Sequence, residues 1–247
     1  MLKVALTAGH YLYTPGKRCL KSIDKNETRE WVLNSRIANK VEENLKAYTG
    51  YKLLRTDDKS GKTDISVEAR AKAANDFGAD IYISVHHNAG IKGGSGGGIV
   101  AYTYLKVNET TEKLQKLLYN KLIEKTGLKG NRANPMPKAD FAECRLTKMP
   151  AVLLECGFMD SINDTPLILT EDFANSAALA ITEAVAEWGK LKKKPIPETP
   201  PEAEKLPEQT NPEKMYYVQA GAFKSKSNAE KLVKQLKDAG FSAIIKS

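Results

Sequence analysis

Between Leu2 and Trp188, short apolar runs alternate with segments of helical period, and this alternation restricts the possible folds more than any other feature of the chain. The runs LKVALTA, YKLLR, IYISVHH, GIVAYTY and PAVLLECGF read as strands. Glu30–Tyr48, VEARAKAANDFG, Glu109–Thr126 and a stretch from about Glu171 to Trp188 read as helices. The pattern predicts an α/β fold: a twisted, mainly parallel sheet with helices on both faces. In open sheets of this kind, ligands bind outside the carboxyl ends of the strands. The functional residues are therefore expected at that edge.

The 247 residues suffice for one large domain with an appendage. No run approaches the roughly 18–20 apolar residues of a membrane span, so no membrane insertion is expected. The opening MLKVALTAGH lacks the basic flank, long apolar region and cleavage site of a signal peptide, which predicts synthesis in the cytoplasm. Three irregularly spaced cysteines fit free thiols in a reducing compartment. The net charge of +8 comes with no nucleic-acid motif, so it points to an anionic polymer or surface and not to nucleic acid.

Six of the eleven prolines fall between Pro195 and Pro212, where missing backbone donors and extended conformations make a semi-rigid linker. The expected organisation is a main domain at 1–191, a Pro/Glu/Lys-rich linker at 192–214 and a small unit at 215–247. That unit reads strand, helix, strand. Ser227 and Glu230 form a capping box, Ala229, Leu232, Val233 and Leu236 make an apolar face, and Gly240 stops the helix.

Three strands carry polar residues to the carboxyl edge. TAGH brings His10 just after Gly9, IYISVHH brings His86 and His87, and LLECGF brings Glu155. Each histidine taken singly is as readily explained by a hydrogen bond at a strand end. Because consecutive strand residues point to opposite faces, only one of His86 and His87 shares the side that His10 faces, and spacing leaves open which. Glu30 lies on the helical stripe of Leu33, Ile37, Val41 and Leu45, where a carboxylate needs a partner or a metal. The helix dipole alone is the ordinary reason for such an acid. The competing Glu27 precedes an expected cap at Thr28.

Two histidines, one glutamate and an open position form the usual protein ligand set of a catalytic zinc, which lowers the pKa of its water to about 7 and polarises a carbonyl. Glu155 is then placed to act as general base and to return the proton to a leaving amine. No HExxH helix is present. Cys156 reads as an inert core thiol. GGSGGG, Gly93–Gly98, lacks the Lys-Ser/Thr of a phosphate loop and reads as a flexible connection.

The segments TAGH, EWVLNSRIA, LLRTDD, ARAKAANDFGADIYISVHHNAG and MPAVLLECGFMDSIND resemble, in order and spacing, the zinc-dependent N-acetylmuramoyl-L-alanine amidases of the type-three class. The resemblance covers residues 1 to about 190. It implies one zinc ion held by His10, Glu30 and His86, leaves His87 in a variable position, and makes Glu155 the catalytic glutamate. It further implies substrate contacts at Asn88 and Arg145. The family's usual DPGHGG opening is here TAGHYLY, so the loop after His10 departs from the pattern.

The stretch Tyr217–Phe223, YVQAGAF, resembles the opening of a SPOR domain, a peptidoglycan-binding module that repeats its unit twice. Tyr217, Gln219 and Phe223 are the implied wall contacts. The single 33-residue unit is small for independent folding, so a homodimer through this half-repeat, or docking on the amidase domain, is expected. The resemblance thus implies a peptidoglycan hydrolase cleaving the amide between N-acetylmuramic acid and L-alanine. It would reach the wall after holin-dependent release or mother-cell lysis. The alternatives are a non-catalytic wall-binding protein and a zinc peptidase or deacetylase acting on another wall amide.

Overall fold

The computed structural model describes residues 1–195, 226–238, 240–241 and 243–245. The chain divides into two compact units, Met1–Ile196 and Pro197–Ser247.

The first unit runs β1 (Leu2–Ala8), α1 (Glu30–Leu45), β2 (Tyr48–Thr49), β3 (Tyr51–Arg55), α2 (Val67–Phe77), β4 (Ile81–Asn88), β5 (Val100–Tyr102), α3 (Glu109–Thr126), α4 (Ala142–Leu146), β6 (Ala151–Phe158), α5 (Thr165–Ile168), α6 (Glu171–Trp188) and β7 (Lys192–Lys193). Its main sheet has the order β3-β1-β4-β6-β5, parallel throughout except that β5 joins β6 antiparallel at one edge. The mainly parallel α/β architecture is as the alternation predicts.

Side-chain parity sorts the strands between two cores. Ile81, Ile83 and Val85 of β4 and Leu154 and Cys156 of β6 pack with Leu33 and Ile37 of α1, Leu118 of α3 and Ile181 of α6. Tyr82 of β4 and Leu153 of β6 turn the other way, onto Ala74 of α2 and Cys144 of α4. Burial on both faces, at about 1.5–3 kcal/mol for each large apolar side chain, explains why these strands read as continuous apolar runs and not as alternating ones. The same parity assigns His86 to the α2/α4 face and His87 to the α1 face.

Helix ends follow local chemistry. Ser66, Asn108 and Thr170 accept the Ala69, Thr111 and Phe173 N–H groups at the starts of α2, α3 and α6, and Gly78 closes α2 in the left-handed conformation. Helix α1 departs from expectation at both ends. It stops at Leu45, because Tyr48 and Thr49 pair with Lys193 and Lys192, and its cap is Arg29, with no side-chain bond, in place of Thr28. The Thr28 amide instead donates to Asp24 Oδ2 at 2.7 Å.

The Gly93–Gly98 connection is hydrogen-bonded to neighbouring segments. Gly97 and Gly98 donate their N–H groups to Asn131 Oδ1 at 3.2 Å and Asp164 Oδ2 at 2.7 Å, and just before the run Gly90 and Lys92 donate theirs to Asp160 Oδ2 at 2.8 and 2.7 Å. Among the described residues no helix is long and apolar enough to cross a membrane.

In the second unit, helix α7 spans Lys226–Asp238, beginning before Ser227 and not after it. Ala229, Leu232, Val233 and Leu236 are its less exposed residues, as the expected apolar face has it, and Gly240, with φ 87°, donates to Lys237 O beyond its end. Residues 241 and 243–245 carry no strand. The greater part of the linker, with Tyr217, Gln219, Phe223 and the strand expected there, lies outside the described residues.

Candidate metal and catalytic centre

Beyond the carboxyl ends of β1 and β4, the first turn of α1 meets both strands. Glu30, 1% exposed, stands with its Oε2 3.3 Å from His10 Nε2 and its Oε1 3.1 Å from His86 Nδ1. The two imidazoles meet edge to face with centroids 5.0 Å apart. Burial opposes ionisation of Glu30, yet the imidazoles of His10 and His86 beside it hold its carboxyl well below the usual range. His10 is the solvent-facing member, so the cluster opens on that side.

The turn that presents His10 is a strained one. His10 sits at φ 65°, where a side chain is seldom found. Two buried donors clamp it: Arg70 Nη2 donates to His10 O at 2.8 Å, and Asn34 Nδ2 to Gly9 O at 3.1 Å.

His87 goes elsewhere. Its ring Nδ1 lies 2.8 Å from Asn34 Oδ1, and only its backbone N–H turns to Glu30 Oε1, at 3.2 Å. Burial pushes the His87 imidazolium down to about 3, so the ring is neutral. The adjacent histidines are therefore divided between the faces of β4.

Glu155 is the parallel-register partner of His86, and partners in register project from the same face. Burial pushes its carboxyl up to about 7, against the opposing pull of His86. A carboxyl poised near neutrality beside the cluster has the affinity a general base needs. Cys156 points into the α1-side core, where burial raises its thiol far above the ordinary value, as befits an inert group.

Glu143 has no counterpart in the sequence reading. It belongs to the five-residue α4, too short to show a period, and is buried with Oε2 3.6 Å from His86 Nε2 and Oε1 3.5 Å from Arg70 Nη1. Burial works against it, yet His86, Ser84 and Arg70 hold it down to about 2. Conversely, burial disfavours a charged His86, and Glu143 and Glu30 on either side still hold it up at about 10. Lys17, with Nζ 3.7 Å from Glu30 Oε2, was likewise not anticipated.

The two expected substrate residues stand apart from this cluster in their contacts. Arg145 is exposed and pairs with Asp140 Oδ1 at 2.5 Å. Asn88 ends β4 past a bulge and accepts the Ala89 N–H.

One ligand atom each from His10, Glu30 and His86 fits within 4.8 Å, the sole metal-capable group of this kind among the described residues. Glu30 Oε2, 3.3 Å from His10 Nε2, is buried without a hydrogen bond. Two imidazoles, one ionised carboxylate and an open side fit a zinc ion in donor type and number.

A family model described as N-acetylmuramoyl-L-alanine amidase matches residues 4–187, and a SPOR domain model matches residues 212–247. The sporulation-specific N-acetylmuramoyl-L-alanine amidase of Bacillus subtilis is 30% identical over 250 residues, covering 99% of this chain and 84% of that protein. The endolysin of Bacillus phage SPP1 is 38% identical over 130 residues, 51% of this chain and 46% of the endolysin. Among solved structures, the catalytic domain of the amidase CwlV from Bacillus (Paenibacillus) polymyxa superposes with a TM-score of 0.68 at 25% identity, over 78% of this chain and 100% of that one. A match across both the fold and nearly the full length of a relative leaves one assignment: the chain belongs to the N-acetylmuramoyl-L-alanine amidase family and is a peptidoglycan amidase.

Proposed function

We propose that this amidase cleaves the bond between the lactyl group of N-acetylmuramic acid and L-alanine of the stem peptide, with zinc held by His10, Glu30 and His86 and Glu155 as general base. The observation that carries the reading is the convergence of three ligand atoms within 4.8 Å, beside a glutamate in register with His86. Zinc in such a site supplies Lewis acidity toward the scissile carbonyl and lowers the pKa of a water to about 7.

The remaining work falls to the chain. Glu155 takes a proton from the attacking water and delivers it to the departing alanine nitrogen. Its raised proton affinity suits both steps, because the same carboxyl must accept and then release. The solvent-facing side of His10 admits the substrate, and Asn88 and Arg145 are assigned to its outer contacts.

Residues 1–191 then form the catalytic domain, 192–214 a linker and 215–247 a wall-binding unit in which Tyr217, Gln219 and Phe223 meet the glycan. The SPOR match supports wall binding by this unit, which we pair with a second copy of itself. The names of the SPP1 endolysin and the sporulation-specific relative support release to the wall by cell lysis.

Purified walls incubated with and without chelator test the reaction. New alanine amino termini without new reducing sugar ends, lost on chelation, are the expected products. Reducing ends would refute the assignment.

A further inference from the structure

We propose that Glu143 is the positioning carboxylate of the metal site, holding His86 with its Nε2 proton directed at Glu143 so that Nδ1 is presented to the ion. The inference rests on His86 being a metal ligand, as proposed above.

The geometry of the ring carries it. Nδ1 faces Glu30 Oε1 at 3.1 Å, on the side shared with His10, whereas Nε2 faces Glu143 Oε2 at 3.6 Å on the opposite side. A neutral imidazole has one N–H and one lone pair, and it binds metal through the lone pair. If Nδ1 serves the ion, Nε2 carries the proton, and a buried N–H needs an acceptor. Glu143 Oε2 is that acceptor, itself buried and without a hydrogen bond. A metal-bound histidine commonly donates its other N–H to a carboxylate, which fixes the tautomer and raises ligand basicity.

Glu143 is in turn fixed by chemistry that serves the same centre. Arg70 Nη1 lies 3.5 Å from Glu143 Oε1 and 3.4 Å from Ala8 O, while its Nη2 donates to His10 O at 2.8 Å. One buried guanidinium thus ties the carboxylate behind His86 to the backbone that presents His10. A salt bridge needed only for packing has no reason to span both histidine-bearing segments.

The test uses the full chain. Zinc affinity is measured by chelator competition for wild type, Glu143→Ala and Glu143→Gln, and histidine nitrogens are observed by NMR in 15N-labelled protein loaded with cadmium-113. Coupling of the metal to His86 Nδ1 with the proton on Nε2 is expected. Zinc affinity is expected to fall ~10–100-fold in Glu143→Ala, with partial rescue in Glu143→Gln, whose amide oxygen still accepts.

Coupling through His86 Nε2 would overturn the proposal. So would unchanged affinity in Glu143→Ala accompanied only by a lower Tm, the signature of a purely structural ion pair. Should Glu143→Ala not fold, the wild-type coupling and Glu143→Gln decide the question. Zinc binding that survives His86→Ala would instead strike the metal assignment itself.

Discussion

The imidazole of His86 rests on the bare Cα of Gly9: a Cβ at residue 9 would stand 2.0 Å from the ring Cε1 and 2.2 Å from Nε2. The ring has no alternative place, because Glu30 lies against one nitrogen and Glu143 against the other. The glycine just after β1 is therefore part of the proposed metal site, although it offers no ligand.

Gly9→Ala is accordingly expected to weaken zinc binding at least ~10-fold and to destabilise the fold by about 1–3 kcal/mol, the usual cost of overpacking a close-packed site. Zinc stoichiometry and thermal unfolding of the same sample check both. Full zinc affinity in this variant would mean that the ring is free to turn.

Exchange of the two neighbouring histidines separates their roles. His86→Ala should abolish zinc binding, while His87→Ala should retain it and lose about 1–3 kcal/mol of stability, since Asn34 Oδ1 is left without its 2.8 Å partner in a buried site. Metal analysis of the two purified variants reads the difference, and the reverse pattern would overturn the assignment.

The acid side of the pH profile reports on Glu155. Its carboxyl is raised to about 7 by burial, and only the ionised form accepts a proton, so kcat/KM should rise with pH through the group's pKa. A dication in the neighbouring site favours the ionised form, which places the limb at or below pH 7. Glu155→Gln should lose ~10²–10⁴ in rate while still binding zinc. Retention of the limb in that variant would assign it to another group.

Asp160 holds the loop that follows β4 through the amides of Gly90 and Lys92. Asp160→Ala should cost about 1–3 kcal/mol and speed amide exchange across residues 90–98, with zinc affinity unchanged. Unaltered exchange there would show that Asp164 suffices to fasten the segment.

Much of the scaffold was legible before any coordinates. The strands at Leu2, Ile81 and Ala151 are apolar runs because both of their faces are covered, and the stripe Leu33, Ile37, Val41 and Leu45 marks the buried side of α1 with Glu30 on it. Local period carries such information, because burial repeats with the geometry of the element. The three-strand convergence of His10, His86 and Glu155 followed from the rule for carboxyl edges.

What local period does not carry is the phase of one strand relative to the site, or contact between distant segments. Alternation required that His86 and His87 part without saying how; the family resemblance pointed to His86, and the packing of β4 between α1 and α4 is what turns that ring to Glu30 and His10. Glu143 was invisible because a five-residue helix has no period and because its partners, Arg70 and His86, lie 73 and 57 positions away. The glycine at position 9 permits a close approach, but only the fold shows that the His86 ring is what lies across it. Sequence by itself determined the layers and the candidate ligands, since these depend on side chains a few residues apart. The orientation of each ring was decided by tertiary structure alone, since it depends on which groups the fold brings within 4 Å across the sheet edge.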